Sequence, residues 1–374
     1  MAARVISLYT GAGGLDLGFE AAGYEIAVAI DYDPAAVATL RHNRSWPVID
    51  RDIHEVTTRE LLATAGLEVG EADALIGGPP CQPFSKAAHW RGETRRLRDP
   101  RAATLEAYLR VLDEALPRTF VLETVPGFAY QGQGEGLSLI EDALARINRT
   151  RSVKYRCDHA CLNAADYGVP QSRERLFIVG ARDGTRFAFP PPTHAPAEYL
   201  TAWDAIGDLD EDAPGLRVRG KWAGLLATIP EGANYARHTA RGDGAPLFTW
   251  RRPYASFLRK LAKNRPAWTI TAQPGPAIGP FHWTNRRLSP RELCRLQTFP
   301  DEYEVLGTLA TVQRQLGNAV PAALAEAIAR TIRRDLLGMR TPSKPTLLPK
   351  PRRPIPAPEP ARSIPRKYLR LGRR

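Results

Sequence analysis

Three short segments hold side chains that could act as a nucleophile, a proton donor and a pair of ligand-binding cations. In LIGGPPCQPFS, Cys81 follows a strand-like run and two prolines, which stiffen the backbone and project the thiol from a loop. In FVLETVPGF, Glu123 ends another strand-like run, where a buried carboxyl could hold or donate a proton. In QSRERLFIVGA, Arg173 and Arg175 start a third strand, and alternate residues on a strand share one face, so both could point at one anionic or carbonyl-bearing ligand. Each residue alone is more often structural or a surface charge, so the interpretation depends on its neighbours.

A glycine-rich turn near the N-terminus suits the approach of a ligand. The segment VISLYTGAGGLDLGFE places Gly11, Gly13 and Gly14 between a strand and a helix, where glycine allows a tight turn and close backbone contact with a ligand. Many such turns use glycine for steric reasons only. The motif by itself therefore leaves a cofactor site and a plain turn equally open.

The ends of the next two strands strengthen the cofactor interpretation. In AIDYDP, Asp31 could accept hydrogen bonds from ribose hydroxyls and Tyr32 could cover an adenine ring. Acidic residues just before Pro34 also suit a helix N-terminus, which is the alternative interpretation. One strand further, Asp52 and Ile53 add a carboxylate and an apolar wall. These strand ends describe an adenosine site without identifying the adenosine compound.

Short apolar runs alternate with helical patterns in the first half of the chain. We predict strands at 4–8, 24–30, 48–53, 73–76, 119–122, 153–160 and 176–181, and helices at 15–22, 103–116, 290–296 and 321–337. Short buried strands separated by helices predict an α/β fold with a doubly wound, mostly parallel sheet. Such a sheet binds its ligands at the carboxyl ends of the strands.

Composition changes between residues 187 and 285, which are rich in Pro, Gly, Arg and Trp and show no clear periodicity. Five of the seven tryptophans fall in this range: Trp203, Trp222, Trp250, Trp268 and Trp283. We therefore predict a catalytic domain over 1–186 and 286–338, interrupted by a smaller inserted domain over 187–285. Residues 339–374 are predicted to form a basic, proline-rich tail that is disordered or polyproline-like and not packed against the rest of the protein.

Charge and composition bound the function only loosely. The hydrophobic share of 43% and the charged share of 25% are those of an ordinary globular protein. No stretch approaches the roughly 20 apolar residues that a membrane-spanning helix needs. Residues 341–374 hold ten Lys or Arg against one Glu, so they supply +9 of the net +12 and could attract phosphate without reading sequence. Four irregularly spaced cysteines and an N-terminus without the layout of a secretory signal favour a reducing cytoplasm.

Six segments, in this order, resemble the motifs of the DNA (cytosine-5) methyltransferases: TGAGGLDLGF, GGPPCQPFS, LETV, QSRER, RRLSPRELCRLQTFPD and QLGNAVP. The resemblance covers residues 4 to 335, although 187–285 match only in position and in their closing segment. It implies a Rossmann-like methyltransferase fold with an inserted target-recognition domain. It also implies S-adenosyl-L-methionine as cofactor, S-adenosyl-L-homocysteine as its product, and double-stranded DNA as substrate.

The resemblance implies a covalent mechanism. Cys81 would attack carbon 6 of cytosine as a thiolate, and Glu123 would bind and protonate the ring on its N3 side. Arg175 would hold the cytosine O2, with Arg173 supporting the pocket or contacting a phosphate. Carbon 5 would then take the methyl group, and loss of its proton with release of the cysteine would restore the ring. Because a stacked duplex hides these atoms, the base must be flipped out.

The resemblance also assigns binding residues. The implied cofactor residues are Tyr9, Gly11, Gly13, Gly14, Leu15, Asp31, Tyr32, Asp52, Ile53, Pro80, Asn318 and Val320. The DNA-contacting residues fall in the basic segment after the cysteine and in the insert: Gln82, Ser85, Arg91, Arg95, Arg96, Arg237, Arg251, Arg252 and Thr269. Trp222, Tyr235 and Trp250 also suit base contacts, but a small domain needs a core, and we expect about half of these aromatic side chains to be structural.

Three positions depart from the usual motifs of the family. Ser7 stands where an acidic residue is common and Tyr9 where phenylalanine is common, and both changes look tolerable. Thr124 replaces the asparagine that helps to orient the cysteine loop, which puts the geometry of that loop in doubt. Threonine can still donate one hydrogen bond, so we expect activity. Cys157 and Cys161 lack the spacing of a metal site, and we predict no metal.

Two other functions would use similar motifs. A tRNA cytosine-5 methyltransferase resembles this family in its catalytic residues, but its reduced recognition region carries a short cysteine-containing motif that this chain lacks. A catalytically silent DNA-binding relative would not need an intact catalytic set. We predict a prokaryotic, cytoplasmic and monomeric DNA methyltransferase without membrane association. A cognate restriction endonuclease would be its partner genetically but not physically.

Overall fold

The computed structural model describes residues 2–80, 103–130, 135–251 and 254–369. Its strands are β1 (Ala3–Leu8), β2 (Tyr24–Asp31), β3 (Val48–Asp50), β4 (Ala74–Gly77), β5 (Thr119–Thr124), β6 (Arg156–Asn163), β7 (Gln171–Ser172), β8 (Glu174–Ala181) and β9 (Ala267–Trp268). Seven of them form one sheet in the order β3-β2-β1-β4-β5-β8-β6, and β7 pairs with β9. Strands β3, β2, β1, β4 and β5 are parallel, and β8 runs antiparallel to both of its neighbours, β5 and β6, so that it is the one reversed strand among the seven that the structure describes in this sheet. The prediction of a mostly parallel α/β sheet is confirmed.

Helices cover both faces of this sheet. They are α1 (Gly14–Ala21), α2 (Pro34–Asn43), α3 (Thr58–Ala65), α4 (Ala103–Ala115), α5 (Gly127–Tyr130), α6 (Glu135–Arg151), α7 (Ala202–Ile206), α8 (Pro290–Leu296), α9 (Leu309–Asn318), α10 (Ala322–Asp335) and α11 (Arg366–Leu369). Short 3-10 turns lie at Ala164–Tyr167, Pro196–Glu198, Pro214–Leu216, Ala223–Thr228 and Tyr235–His238. None of the helices in these described ranges is long and apolar enough to cross a membrane.

Alternation along the strands divides the core into two layers. In β1, Ile6 packs on the side of α3, α4 and α6, while Val5 packs on the side of α1 and α10. Helices α1 and α10 approach so closely that a Cβ on Gly18 would lie 2.3 Å from the Cβ of Ala325. Because α10 belongs to the last part of the catalytic region, this contact joins the two ends of the chain around one sheet.

The chain reverses its direction along the sheet at β1, which pairs with β2 on one side and β4 on the other. In an α/β sheet, such a reversal opens a crevice beyond the carboxyl ends of the strands. Here Asp31 ends β2, Gly77 ends β4, and Glu123 lies one residue from the end of β5. The sequence-predicted residues therefore meet at one edge.

Two predicted strand boundaries are wrong for local reasons. The strand predicted at 153–160 begins at Arg156, because the backbone of Tyr155 is held by both ends of the Asn148 amide on α6. The strand predicted at 48–53 ends at Asp50, and the Asp52 carboxylate then accepts a hydrogen bond from the His54 N–H in a turn.

The region between 187 and 285 has its own small aromatic core with little regular structure. Leu226, Tyr235, Leu258 and Phe281 are buried there, and Trp222 packs beside Phe248 with ring centroids 5.0 Å apart. Trp222 and Tyr235, which we considered for base contacts, thus serve the core. The domain limits proposed from sequence stay a prediction.

The C-terminal segment differs from the predicted disordered tail. Residues 339–369, here called the strap, lie along the surface and bond to side chains of both regions. The Glu326 carboxylate on α10 accepts the Thr346 and Leu347 N–H groups, and Asp204 on α7 pairs with Arg353 at 2.8 Å. Near the end of the strap, Tyr368 is buried in the aromatic core and donates to the Lys221 carbonyl. The high proline content and charge of this segment predicted an unpacked chain, and composition alone does not show these specific hydrogen bonds and ion pairs.

Candidate active site

A cavity of about 470 Å³ lies at the carboxyl edge of the sheet. It is lined by the loop after β1, the ends of β2, β4 and β5, and the turn between α9 and α10. Nine of the predicted cofactor residues line it: Tyr9, Gly11, Gly14, Leu15, Asp31, Tyr32, Pro80, Asn318 and Val320. Glu123 and Arg175 line the same cavity. One space therefore joins the predicted cofactor and catalytic residues.

The carboxylate of Asp31 is held in place by two backbone donors. Its oxygens accept the Gly11 N–H at 2.7 Å and the Asp33 N–H at 2.8 Å. Burial raises the pKa of Asp31, and these two N–H groups lower it in part. At Gly11, φ is +57° and an added Cβ would find only the Tyr9 carbonyl, 4.0 Å away. The glycine thus leaves open space above the loop that a bound group can enter.

Three predicted cofactor residues do not line the cavity. Gly13 caps α1 at φ 83°, and a Cβ there would lie 3.0 Å from the Tyr303 hydroxyl, so the glycine serves helix packing. Ile53 is buried in the core. Asp52 does not line the cavity; burial raises the pKa of the Tyr9 phenol, and the nearby Asp52 charge raises it further.

Glu123 and Arg175 form an ion pair at the cavity wall, with the guanidinium Nε 2.9 Å from the Glu123 Oε1. Burial raises the pKa of the Glu123 carboxyl, and the neighbouring Arg175 and Arg173 charges lower it only in part. Gly78 lies opposite, and a Cβ there would be 2.8 Å from the Glu123 Oε2. A carboxyl with a raised pKa beside a fixed cation suits proton donation to a bound ring.

Arg173 does not share the face of Arg175, contrary to the strand alternation predicted from sequence. It lies between β7 and β8, its side chain is fully buried, and its guanidinium donates to the carbonyls of Ile270, Gly317 and Ala319. In this position Arg173 supports the cavity wall from behind and cannot reach a surface phosphate.

Several lining residues have no counterpart in the sequence prediction. Asp16 in the first turn of α1 is completely buried beside Ser7. Arg314 on α9 forms an ion pair with Asp33 at the cavity mouth, which lowers the pKa of that carboxyl. Helix α9 was itself not predicted, although Thr308 is a recognisable N-cap whose hydroxyl accepts the Thr311 N–H. The Thr124 hydroxyl is buried in the cavity wall without a hydrogen-bond partner in the described residues.

A second cleft of about 360 Å³ opens on the region between 187 and 285. It is lined by Arg237, Arg241, Arg259 and Trp268. The guanidinium of Arg241 stacks 3.7 Å from the Trp250 ring, and that of Arg259 stacks 4.4 Å from the Trp268 ring. Stacked, partly exposed arginines of this kind present their remaining N–H donors to solvent.

The predicted DNA residues are found in different settings. Arg237 pairs with Asp243 at 3.1 Å, Arg251 is exposed beside the Tyr235 hydroxyl, and Thr269 donates to the Ser172 carbonyl at 2.8 Å. The others, together with the predicted nucleophile, lie outside the described residues: Cys81, Gln82, Ser85, Arg91, Arg95, Arg96 and Arg252. No group of three or more His, Cys, Asp or Glu in the described ranges could hold a metal ion.

Fold and site together define an α/β protein with a buried carboxyl–guanidinium pair beside a cavity at the sheet edge. The sequence model of the C-5 cytosine-specific DNA methylase family matches residues 3–334. The chain therefore belongs to this family and is a DNA (cytosine-5-)-methyltransferase.

Known proteins show the same relationship. The Type II methyltransferase M.SacI of Streptomyces achromogenes is 38% identical over 368 residues, covering 89% of this chain and 93% of that protein. M.NgoFVII of Neisseria gonorrhoeae is 32% identical, covering 88% and 86%. Among solved structures, a DNA modification methyltransferase encoded in an E. coli prophage has a TM-score of 0.64 at 24% identity, covering 90% of this chain and all of that one. DNMT2 of Spodoptera frugiperda has a TM-score of 0.62 at 18% identity, covering 88% and 99%. These two structures share the fold.

Proposed function

We propose that this enzyme transfers a methyl group from S-adenosyl-L-methionine to carbon 5 of a flipped-out cytosine in a short duplex DNA sequence, through a covalent bond between Cys81 and carbon 6. The observation that carries the proposal is the Glu123–Arg175 pair, which shares one cavity with the Asp31 strand end. A carboxyl and a guanidinium 2.9 Å apart match the N3 and O2 edge of a cytosine.

The residues of the cavity fit an adenosine cofactor. The Asp31 carboxylate, fixed by two backbone N–H groups, has oxygen lone pairs left for ribose hydroxyls. Tyr32 is 62% exposed beside it and can cover an adenine face. The open space above Gly11 can admit the rest of the molecule. When bound, S-adenosylmethionine supplies the methyl group as an electrophile.

Proton movement follows from the burial of Glu123. The cytosine N3 takes a proton or a strong hydrogen bond from the Glu123 carboxyl, which draws electrons from carbon 6. With the cofactor bound, the Cys81 thiolate would add to carbon 6, and the electron pair released at carbon 5 would form the bond to the methyl group as the methyl–sulfur bond of the sulfonium breaks and leaves S-adenosyl-L-homocysteine. A base then removes the proton from carbon 5. The carbon–sulfur bond breaks, the ring double bond re-forms, and N3 returns its proton to Glu123.

The cleft between Arg241 and Arg259 supports DNA as the substrate. Arginine side chains fixed on tryptophan rings can donate to base edges or to phosphates. Similarity to the Type II methyltransferase M.SacI along 93% of that protein also supports duplex DNA over tRNA. By the same similarity we propose a role as the modification enzyme of a restriction–modification system, acting as a monomer in a prokaryotic cytoplasm, with the cognate endonuclease encoded separately.

Bisulfite sequencing tests this proposal. The wild-type chain and a Cys81→Ala variant are expressed in a host without cytosine methylation, and total DNA and tRNA are both sequenced. Methylated cytosines within one short DNA motif, absent in the Cys81→Ala control, are expected. Methylation confined to tRNA, or unmodified nucleic acid from a folded enzyme that binds the cofactor, would contradict the proposal.

A further inference from the structure

The carboxyl of Asp16 is an isolated acidic group inside the cavity wall. It lies in the first turn of α1, its side chain has no exposed surface, and it lines the cavity. Neither of its oxygens has a partner in the described residues that meets hydrogen-bond geometry, although the Ser7 hydroxyl lies near enough to lower its pKa in part. A buried polar atom without a partner costs free energy, so its presence in a native protein needs an explanation, and a ligand that supplies the missing partner is one.

The surroundings of Asp16 contain anions and hydroxyls. Glu20 and Asp31 carry negative charge towards it, and the hydroxyls of Ser7 and Tyr303 are its other polar neighbours. Within the described ranges, Asp16 has no salt bridge to a Lys, Arg or His. Burial raises the pKa of the Asp16 carboxyl to about 7, and the Ser7 hydroxyl offsets this only in part. A ligand with a positive charge and N–H donors would supply Asp16 with both a counter-charge and hydrogen-bond partners.

We propose that Asp16 binds the α-ammonium group at the amino-acid end of the cofactor, and that it is a positioning residue for methyl transfer. This inference rests on the proposed function, because it assumes an S-adenosyl ligand in the cavity. Asp31 and Asp16 line the same cavity. The first suits the ribose hydroxyls and the second suits the ammonium. Of the two cationic groups on the cofactor, only the ammonium can donate hydrogen bonds, since a sulfonium has no N–H.

Ser7 makes this assignment specific to the present chain. It stands where an acidic residue is common in the family, and its hydroxyl bonds to Thr10 at 3.1 Å. A hydroxyl cannot neutralise an ammonium. In this chain, therefore, the acidic group at this end of the cavity comes from helix α1 instead of strand β1.

The pH dependence of binding follows from the charge of the pair. Asp16 must be ionised to hold the ammonium, and an α-amino group keeps its proton until the pH approaches about 8. Affinity for a ligand with the amino-acid end should therefore rise between pH 6 and 7.5. Affinity for a ligand without that end should stay flat, unless Glu20, Asp31 or Tyr303 contributes, in which case both ligands would change together.

Calorimetric titration with two ligands tests the proposal. S-adenosyl-L-homocysteine carries the amino-acid end, and 5′-methylthioadenosine lacks it. Asp16→Asn should weaken the first about 10- to 100-fold at pH 7.5, the loss expected for a hydrogen bond to a charged group, and leave the second unchanged. As the control, Asp31→Asn should weaken both ligands, because both carry the ribose.

The outcomes separate this inference from the proposed function. Wild-type protein that binds neither ligand would contradict the S-adenosyl cofactor itself. If Asp16→Asn binds both ligands as the wild type does, Asp16 is only a buried structural acid and the inference is wrong. If Asp16→Asn does not fold, the wild-type protein is titrated with both ligands between pH 6 and 7.5. A constant ratio of the affinities for S-adenosyl-L-homocysteine and 5′-methylthioadenosine over this range would overturn the inference.

Discussion

Arg173 and Arg175 stand two residues apart in one motif, yet the structure assigns them opposite tasks. Replacing Arg173 by Met should lower the free energy of unfolding, because the carbonyls of Ile270 and Gly317 lose this donor and that of Ala319 keeps only a 3.4 Å bond from the Gln297 amide. An unsatisfied buried carbonyl costs about 1–3 kcal/mol, so the loss should be about 3 kcal/mol. Replacing Arg175 by Met should cost far less, since Glu123 can take up a proton once its cationic partner is gone.

Urea unfolding followed by fluorescence measures the difference. With a slope of about 3 kcal/mol per molar urea for a chain of this size, Arg173→Met should move the midpoint down by about 1 M. Arg175→Met should keep its midpoint within about 0.3 M of the wild type and lose about 10²- to 10³-fold in the rate of methyl transfer, as when a preorganised donor to a reacting ring is removed. Equal midpoints for the two variants would refute the assignment of Arg173 as a structural residue.

Three further predictions concern the catalytic carboxyl and the strap. Gly78→Ala should slow single-turnover methyl transfer by up to about 100-fold, because the new Cβ would lie 2.8 Å from the Glu123 carboxyl and displace it. The control Gly215→Ala should match the wild type, since a Cβ at that position would have no atom within 4 Å. As the proposed proton donor, Glu123 must be protonated, so the wild-type rate of methyl transfer should fall as pH rises through its raised pKa. The Glu123→Gln variant should be about 10²- to 10⁴-fold slower. If that variant keeps the pH dependence of the wild type, Glu123 is not the proton donor. Tyr368→Ala should destabilise the aromatic core by about 3–5 kcal/mol and weaken DNA binding in a mobility-shift assay. The control Tyr254→Ala removes an exposed ring and should change neither quantity. If both variants bind DNA as the wild type does, the strap does not support DNA binding.

Local rules predicted the sheet and its functional edge well. Apolar runs such as β4 and β5 are buried on both faces, and the polar residue at the end of each run must then lie at the sheet edge. For that reason Asp31 and Glu123 could be placed from sequence alone. The strand order and the antiparallel direction of β8 depend on contacts between distant segments, which periodicity does not encode.

Side-chain direction was harder to predict than position. Alternation suggested that Arg173 and Arg175 share a face, but the chain leaves the strand between β7 and β8, and Arg173 turns into the protein. Asp16 looked like an ordinary acidic residue in the first turn of a helix. It is nevertheless completely buried, and among its polar neighbours is Tyr303, which lies about 290 residues away in sequence. Such long-range contacts decide which polar residues face the cavity.

The strap also sets the order in which a new molecule becomes functional. A ribosome makes the N-terminal sheet before it makes Tyr368, and domains fold as they emerge. Every matched motif is complete by residue 335, but the aromatic core between 187 and 285 lacks one of its buried members until Tyr368 is made. The nascent chain therefore holds all the residues of the cavity wall before it can complete this aromatic core. A message truncated after residue 338 would encode an enzyme fixed at that stage.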